Sequence, residues 1–237
     1  MVEHERRWQT PLVRRAGTVA RWPLGMALTS WRYLWRITAL HRVDVDEGPP
    51  DLGPPLPAAV VDDRVQPIEA GVGPAFHRCY GVEVEDPELT PEQLLALLAA
   101  DPNGPAPVEV AVFRKTVGDP GPLTVGDEFL VRMPGPWDGP VRVVDATPTS
   151  FRFVTLRGHL EAGQIEFRTS GDDGRLRFAI ESWHRSADRL SDLLYDRLRV
   201  AKEMQLHMWT FYCERVARLA GGRRRGGVTI VSHRAAG

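Results

Sequence analysis

The sequence predicts an α+β fold in which a curved, seven-stranded antiparallel sheet wraps around a long C-terminal helix, preceded by an N-terminal helical arm. Three features carry this expectation. Short segments rich in β-branched and aromatic residues follow one another from about residue 77 to 183, separated by Gly, Pro and Asp turns. A single capped helix interrupts them near residue 90, and an apolar stripe of period three to four runs from about residue 187 to 220.

The strand candidates are 77–85, 108–115, 125–133, 140–147, 150–157, 163–170 and 175–183. Their short gaps imply antiparallel meander pairing. In the SGDDGR hairpin, setting Phe167 opposite Phe178 and Ile165 opposite Ile180 keeps the apolar residues on one face, and leaves Glu166, Arg168, Arg177 and Glu181 on the other. The helix of TPEQLLALLAADPNGP has Thr90 as N-cap, Pro91 at the first helical position and Gln93 at the capping-box position. Leu94, Leu95, Leu97 and Leu98 are expected inside, with Asp101 to Gly104 as the stop. The long helix carries Leu190, Leu194, Leu198, Ala201, Met204, Met208, Tyr212, Val216 and Leu219 along one stripe, and Gly221 suits its C′ position. A curved antiparallel sheet cannot bury its concave face against itself. The helix must cover it, leaving a cavity where the two diverge.

The 237 residues divide into an arm, a domain and a tail. Residues 18–40 read as a helix rich in tryptophan and arginine, followed by the proline-rich stretch DEGPPDLGPPLPAA, so 1–58 form the amphipathic arm and linker. Such a helix suits either a peripheral membrane contact or packing on its own domain or on a second copy in a homodimer. Residues 59–222 form the domain, and the basic tail 223–237 is expected to be loose.

Composition narrows the function. With 43% hydrophobic and 26% charged residues the chain can bury a core, and a net charge of −1 gives no global reason to bind nucleic acid. Cys79 and Cys213 are far apart and show no metal-ligand spacing, so neither a disulfide scaffold nor a metal site is expected. No run has the roughly 18 uncharged apolar residues of a membrane span, and the N-terminus is too charged for a signal peptide. The expected location is the cytoplasm. P-loop, GxGxxG, HExxH and GxSxG motifs are absent, and no cofactor is expected.

The order of elements is similar to that of the START-like helix-grip superfamily (SRPBCC), over roughly residues 70–220. More narrowly, GHLEAGQIEF, a hairpin, FAIESWHRSAD and then a long helix resemble an uncharacterised bacterial family, the domain of unknown function numbered nineteen-ninety. Gly158, His159, Glu161, Gly163, Phe167, Arg185 and Ala187 carry that likeness, while Leu160, His184 and Ser186 depart from it. The resemblance implies a deep hydrophobic cavity for lipids, sterols, polyketides or other apolar molecules. Some members use it for transport or sensing, others for cyclisation, dehydration or hydrolysis.

Individual residues are weighed against that cavity. His159 and Glu161 sit where a glycine-bracketed loop meets the expected mouth. They suit either a general base with its orienting group or a turn held by a side-chain hydrogen bond to backbone. Glu181 and Trp183 share a strand face and His184 takes the other; Glu181 is an acid catalyst if inward, or a partner of Arg168 or Arg152 if outward. Trp183, Met204, Met208, Trp209 and Tyr212 are the expected ligand contacts. His77 and Cys79 point the same way on one strand, with no third group to orient them, and GRRRGG reads as a phosphate contact or a solvated tail. The favoured function is binding of an apolar lipid, polyketide or terpenoid-like molecule. The alternative is a cofactor-free cyclase, dehydratase or hydrolase using His159, Glu161 and Glu181; the weakest is a scaffold that dimerises through its arm.

Overall fold

A computed structural model describes residues 40–45, 51–107, 111–132, 138–172, 174–188 and 200–235. The predicted helix over 18–40 lies outside these, except that Leu40 opens a strand. Among the described residues there are nine strands: β1 (Leu40–Val45), β2 (Val72–Glu85), β3 (Val112–Val117), β4 (Glu128–Arg132), β5 (Asp138–Ala146), β6 (Ser150–Thr155), β7 (Glu161–Asp172), β8 (Arg175–Ser186) and β9 (Arg223–Ala235). Two α-helices, α1 (Pro91–Ala100) and α2 (Val200–Leu219), accompany them. All nine strands form one sheet in the order β1-β9-β2-β8-β7-β6-β5-β4-β3. Every pairing is antiparallel except β1 with β9, which is parallel.

The sheet grips α2, whose Leu206, Met208, Trp209, Tyr212, Cys213 and Val216 join the main core beneath β2, β8 and β9. This is the helix-grip arrangement expected, with two strands more than the seven predicted. The additional strands are β1 and β9, and β9 corrects the expectation of a loose tail. Val228, Ile230 and Ser232 are buried and alternate with exposed Thr229, half-buried Val231 and exposed His233, so the tail has the period of a half-buried strand. It lies beside β2 and covers an edge that would otherwise be open.

α1 forms as its capping chemistry dictates. The Gln93 N–H donates to Thr90 Oγ1, and the Thr90 N–H donates to Gln93 Oε1 at 2.9 Å. Leu94, Leu95 and Leu98 are buried, but Leu97 is 50% exposed, contrary to expectation, because it falls outside the narrow stripe that meets β7. The β7–β8 hairpin is tighter than predicted. Asp172 pairs with Arg175 around Gly174 at φ 74°, so Phe167 faces Ile180 and Ile165 faces Ser182, two residues from the expected register. A two-residue slip preserves the faces, which is why alternation alone did not choose between the registers. β8 continues to Ser186, beyond the 183 expected for its end, and the Ala187 N–H still donates to Leu160 O, so extended chain reaches the expected start of the long helix; 189–199 lie outside the described residues.

The outer face of the sheet is also apolar in part and needs cover. Residues 51–71 supply it. Leu56, Val60 and Val65 pack on Val144, Val154 and Leu156, and Ile68 packs with Trp183, Ala75 and Ala235. Gln164 Nε2 donates to Pro54 O at 2.8 Å, and Arg142 joins buried Glu128 to Asp62. The part of the proline-rich linker that is described, from Asp51 on, is thus a strap packed on the sheet.

Candidate functional site

Strand registers decide which side chains meet inside. One cross-strand row reads Phe151, Phe167, Ile180, Tyr80, Ile230, all apolar apart from the tyrosine hydroxyl. The next row toward the β6–β7 loop reads Phe153, Ile165, Ser182, Arg78, Ser232. The one after it places Gly163, His184 and Phe76 side by side. The concave surface therefore changes from aromatic to polar over two rows, and a cavity of about 110 Å³ lies along that change. Phe113, Val131, Val141, Phe153, Phe167, Met208 and Trp209 line its apolar part, and His159, Glu161, Ser182, His184 and Gln205 its polar end.

The aromatic wall is cohesive. Phe153 meets Phe129, Phe151 and Phe167 edge-on at 5.6–6.1 Å, and Phe167 meets Trp209 edge-on at 5.5 Å. Behind it the Tyr212 ring stacks on Phe178 at 6.1 Å. Burial raises the phenol pKa of Tyr212 and the thiol pKa of Cys213, so neither ionises in the neutral range.

The polar end is a chain of groups in which Arg78 and His184 are buried and Glu161 and Gln205 half-buried. Arg78, only 1% exposed, donates through Nη1 to Gln205 Oε1 at 2.8 Å, and Gln205 Nε2 donates to Glu161 Oε2 at 3.3 Å. His184 Nε2 lies 3.6 Å from Glu161 Oε1, and its ring stacks on Phe76 at 5.6 Å. Burial, reinforced by the Arg78 charge, lowers the His184 pKa well below the usual histidine range, so the imidazole is neutral and its approach to Glu161 is not an ion pair.

Of the two alternatives foreseen for His159, a general base or a turn held by a side-chain hydrogen bond to backbone, the turn contact is present, and the residue also lines the cavity. The Glu161 backbone N–H donates to His159 Nδ1 at 2.9 Å. That nitrogen also lies 3.1 Å from the Glu161 carbonyl, which already accepts from Gln66 Nε2 at 3.0 Å. A nitrogen receiving an N–H must present its lone pair, so the ring hydrogen is on Nε2. Desolvation brings the His159 pKa down to about 4, which makes it a weak base at neutral pH.

The remaining candidates separate by face. Met208 and Trp209, two of the residues expected to contact a ligand, line the cavity; the Met204 side chain lies outside the described residues. Tyr212 is buried behind the wall and does not line the cavity. Trp183 and Glu181 are on the outer face, in rows that read Gln164, Trp183, His77, His233 and Glu166, Glu181, Cys79, Val231. Trp183 stacks on His77 at 5.3 Å beneath the strap, so its placement differs from that expected of a ligand contact. Glu181 takes the outward alternative: Arg168 Nη2 lies 2.7 Å from one oxygen and His77 Nε2 2.7 Å from the other. The sheet separates it from His159 and Glu161.

His77 and Cys79 do share a face, but burial and the Glu181 charge raise the Cys79 pKa, which disfavours a thiolate nucleophile. The arginines of GRRRGG pair at the surface, Arg223 and Arg225 with Glu85, Arg224 with Glu214. Arg78, Ser182 and Gln205 were missed as site residues. Arg78 had a readable signal, since Tyr80, Val82 and Val84 alternate inward and Arg78 continues their parity.

Among the described residues no group of three His, Cys, Asp or Glu is arranged to hold a metal ion, and no helix is long and apolar enough to cross a membrane.

Residues 109–215 match the family described as Domain of unknown function (DUF1990). Among curated proteins, none matches the chain. Similar solved structures include hypothetical protein jhp0584 from Helicobacter pylori, with 9% identity over 60% of this chain and 86% of the other and a TM-score of 0.45. Norcoclaurine synthase from Thalictrum flavum has 10% identity over 64% and 88%, with a TM-score of 0.40. Protein Ms6760 from Mycobacterium smegmatis has 15% identity over 67% and 96%, with a TM-score of 0.39.

Proposed function

We propose that this chain, whose residues 109–215 carry the DUF1990 domain, binds an apolar lipid, polyketide or terpenoid-like small molecule between the sheet and α2. The observation that carries the reading is the cavity itself, aromatic and aliphatic along most of its wall and polar at one end. Burial of apolar ligand surface there is worth roughly 25 cal/mol per Å², enough to drive binding without a cofactor. The arm would close the mouth, dimerise or meet a membrane surface, and the free Cys79 and Cys213 fit a bacterial cytoplasm.

A second reading, a cofactor-free cyclase, dehydratase or hydrolase, is favoured by the convergence of His159, Glu161, Ser182 and His184 on one end of the cavity. It is weakened by the low basicity of His159 and by the outward placement of Glu181. Mass spectrometry of an organic extract of the purified, denatured protein, beside an extract of an unrelated control, tests the first reading. A stoichiometric apolar molecule is the expected result. An extract indistinguishable from the control, together with no uptake of small apolar probes, would count against it.

A further inference from the structure

The strap on the outer face reaches the cavity wall through Gln66. The pairing of β6 with β7 ends at Val154↔Gln164, and beyond it Thr155 and Gly163 are bridged by the Gln66 backbone. The Gln66 N–H donates to Thr155 O at 2.8 Å, and the Gly163 N–H donates to Gln66 O at 3.0 Å. One step further along, the Arg157 N–H donates to Arg64 O at 2.8 Å around the Val65↔Leu156 bridge. Residues 64–66 therefore act as a short strand set where β6 and β7 part, with the Thr155 side chain still joining the two.

The Gln66 side chain carries the consequence for the site. Its Nε2 donates to Glu161 O at 3.0 Å and to His159 O at 3.3 Å, using both hydrogens of the amide. Those carbonyls belong to the turn whose residues His159 and Glu161 line the cavity, as do Thr155 and Gly163 on either side of the Gln66 backbone. Gln66 does not line the cavity itself, and is half-buried beneath the strap. The turn is thus held twice. The bond from the Glu161 N–H to His159 Nδ1 is local, spanning two residues, whereas Gln66 ties the same turn to a segment 93 and 95 positions away.

Deepening the binding reading and resting on it, we infer that Gln66 is a positioning residue of the cavity: it fixes the His159–Glu161 turn in the arrangement that receives a ligand, and through it strap and ligand hold each other in place. A turn released from Gln66 presents the binding arrangement only part of the time, and apparent affinity falls by that fraction. By linkage, a ligand that favours the ordered turn must favour the Gln66 contacts to the same extent.

Gln66→Met keeps the side chain's length and the backbone bonds and removes both side-chain donors. Calorimetric titration of the full chain with tetralin is expected to show about tenfold weaker binding than wild type, the size of one lost hydrogen bond. Leu56→Ala is the control, since Leu56 packs on Val144, Val154 and Leu156 and makes no bond to the turn. It should lower the melting temperature while changing tetralin affinity less than about twofold. A second measurement uses the wild-type chain, and decides the matter if Gln66→Met does not fold. On adding tetralin, amide hydrogen exchange should slow at Gln66 and Glu161, bonded to Thr155 O and His159 Nδ1, and stay unchanged at Val60 and Ala70, bonded within the strap to Pro57 and Pro67. Unchanged affinity in folded Gln66→Met, equal losses in both variants, or equal slowing at all four amides would overturn the positioning role while tetralin binding leaves the binding reading standing. If tetralin does not bind the wild-type chain, the binding reading fails and takes the inference with it.

Discussion

His77 and Glu181 meet diagonally across β2 and β8 with Nε2 and Oε1 2.7 Å apart, and both lie on the side of the sheet away from the cavity. Asp51 of the strap approaches the other ring nitrogen at 3.2 Å, and Trp183 and His233 stack on the ring at 5.3 and 5.6 Å. A histidine between two carboxylates has the look of a catalytic dyad. Here it fastens a cover segment to the outer face of the sheet.

Glu181→Gln is therefore expected to cost stability without touching the cavity: about 1 kcal/mol by urea denaturation, with the affinity for a small apolar probe such as tetralin changed less than about twofold. The His77 hydrogen bond, then the Arg168 charge, keeps the Glu181 carboxyl below its ordinary pKa. Its stabilisation is present above the ordinary glutamate value and is lost as pH falls through the lowered one. The variant should lose less stability than the parent over that acid range. A large drop in ligand affinity would instead place Glu181 in the binding machinery.

The desolvated imidazoles of half-buried His159 and buried His184 are the opposite kind of group acting in the same direction. His159 titrates near pH 4 in the fold, against about 6.5 in the unfolded chain, and His184 is lowered as well. Between these values the unfolded state takes up more protons, so stability is level above about pH 6.5 and falls as pH drops toward 4. Below that His159 contributes no further slope. Urea midpoints measured from pH 8 to 4 should show the decline, and His159→Gln should make it shallower by up to one proton. An unchanged slope would mean that His159 is not held neutral.

Gly163 is the position where backbone conformation is decisive. It has φ 152° and faces His184 across β7 and β8, and a methyl group there would collide with the Trp183 carbonyl oxygen and the His184 Cα. Both obstacles are backbone and cannot rotate away. Gly163→Ala should destabilise the protein by more than about 2 kcal/mol and displace Glu161 and Gly163, which line the cavity. Thermal melting with probe titration checks it, and a variant with wild-type melting and binding would show that the loop has slack.

Much of the site was legible because its signals are local. The capping box of Thr90 and Gln93, the strand alternation and the split of Glu181 from His184 all follow from periods of 3.6 and 2. What escaped depends on pairing between distant segments. The β7–β8 register turned on which two residues closed the hairpin, and both choices kept the same faces. The polar end required β2, β8 and α2 to be brought together, since Arg78 and Gln205 are 127 positions apart and acquire meaning only at 2.8 Å. The tail was misread because Arg223 to Gly227 resemble a solvated end, and their composition hid the alternation of Val228, Ile230 and Ser232 that follows.

That tail supports the strongest stability prediction. β9 is bonded to β2 from Ala75↔Ala235 to Glu85↔Arg223, carries β1 on its far side, and places fully buried Val228 and Ile230 against the core that also holds Tyr80. Removing residues 223–237 would uncover the long β2 edge, strip two apolar side chains from beneath α2, and leave β1 without a partner. Ile230→Ala alone should cost about 2–5 kcal/mol, while Thr229→Ala, on an exposed position of the same strand, should cost less than about 1 kcal/mol. The truncated chain is expected to be aggregated or unfolded by circular dichroism and size exclusion. A truncation that remains monomeric with an unchanged melting temperature would return the tail to the loose appendage its arginines first suggested.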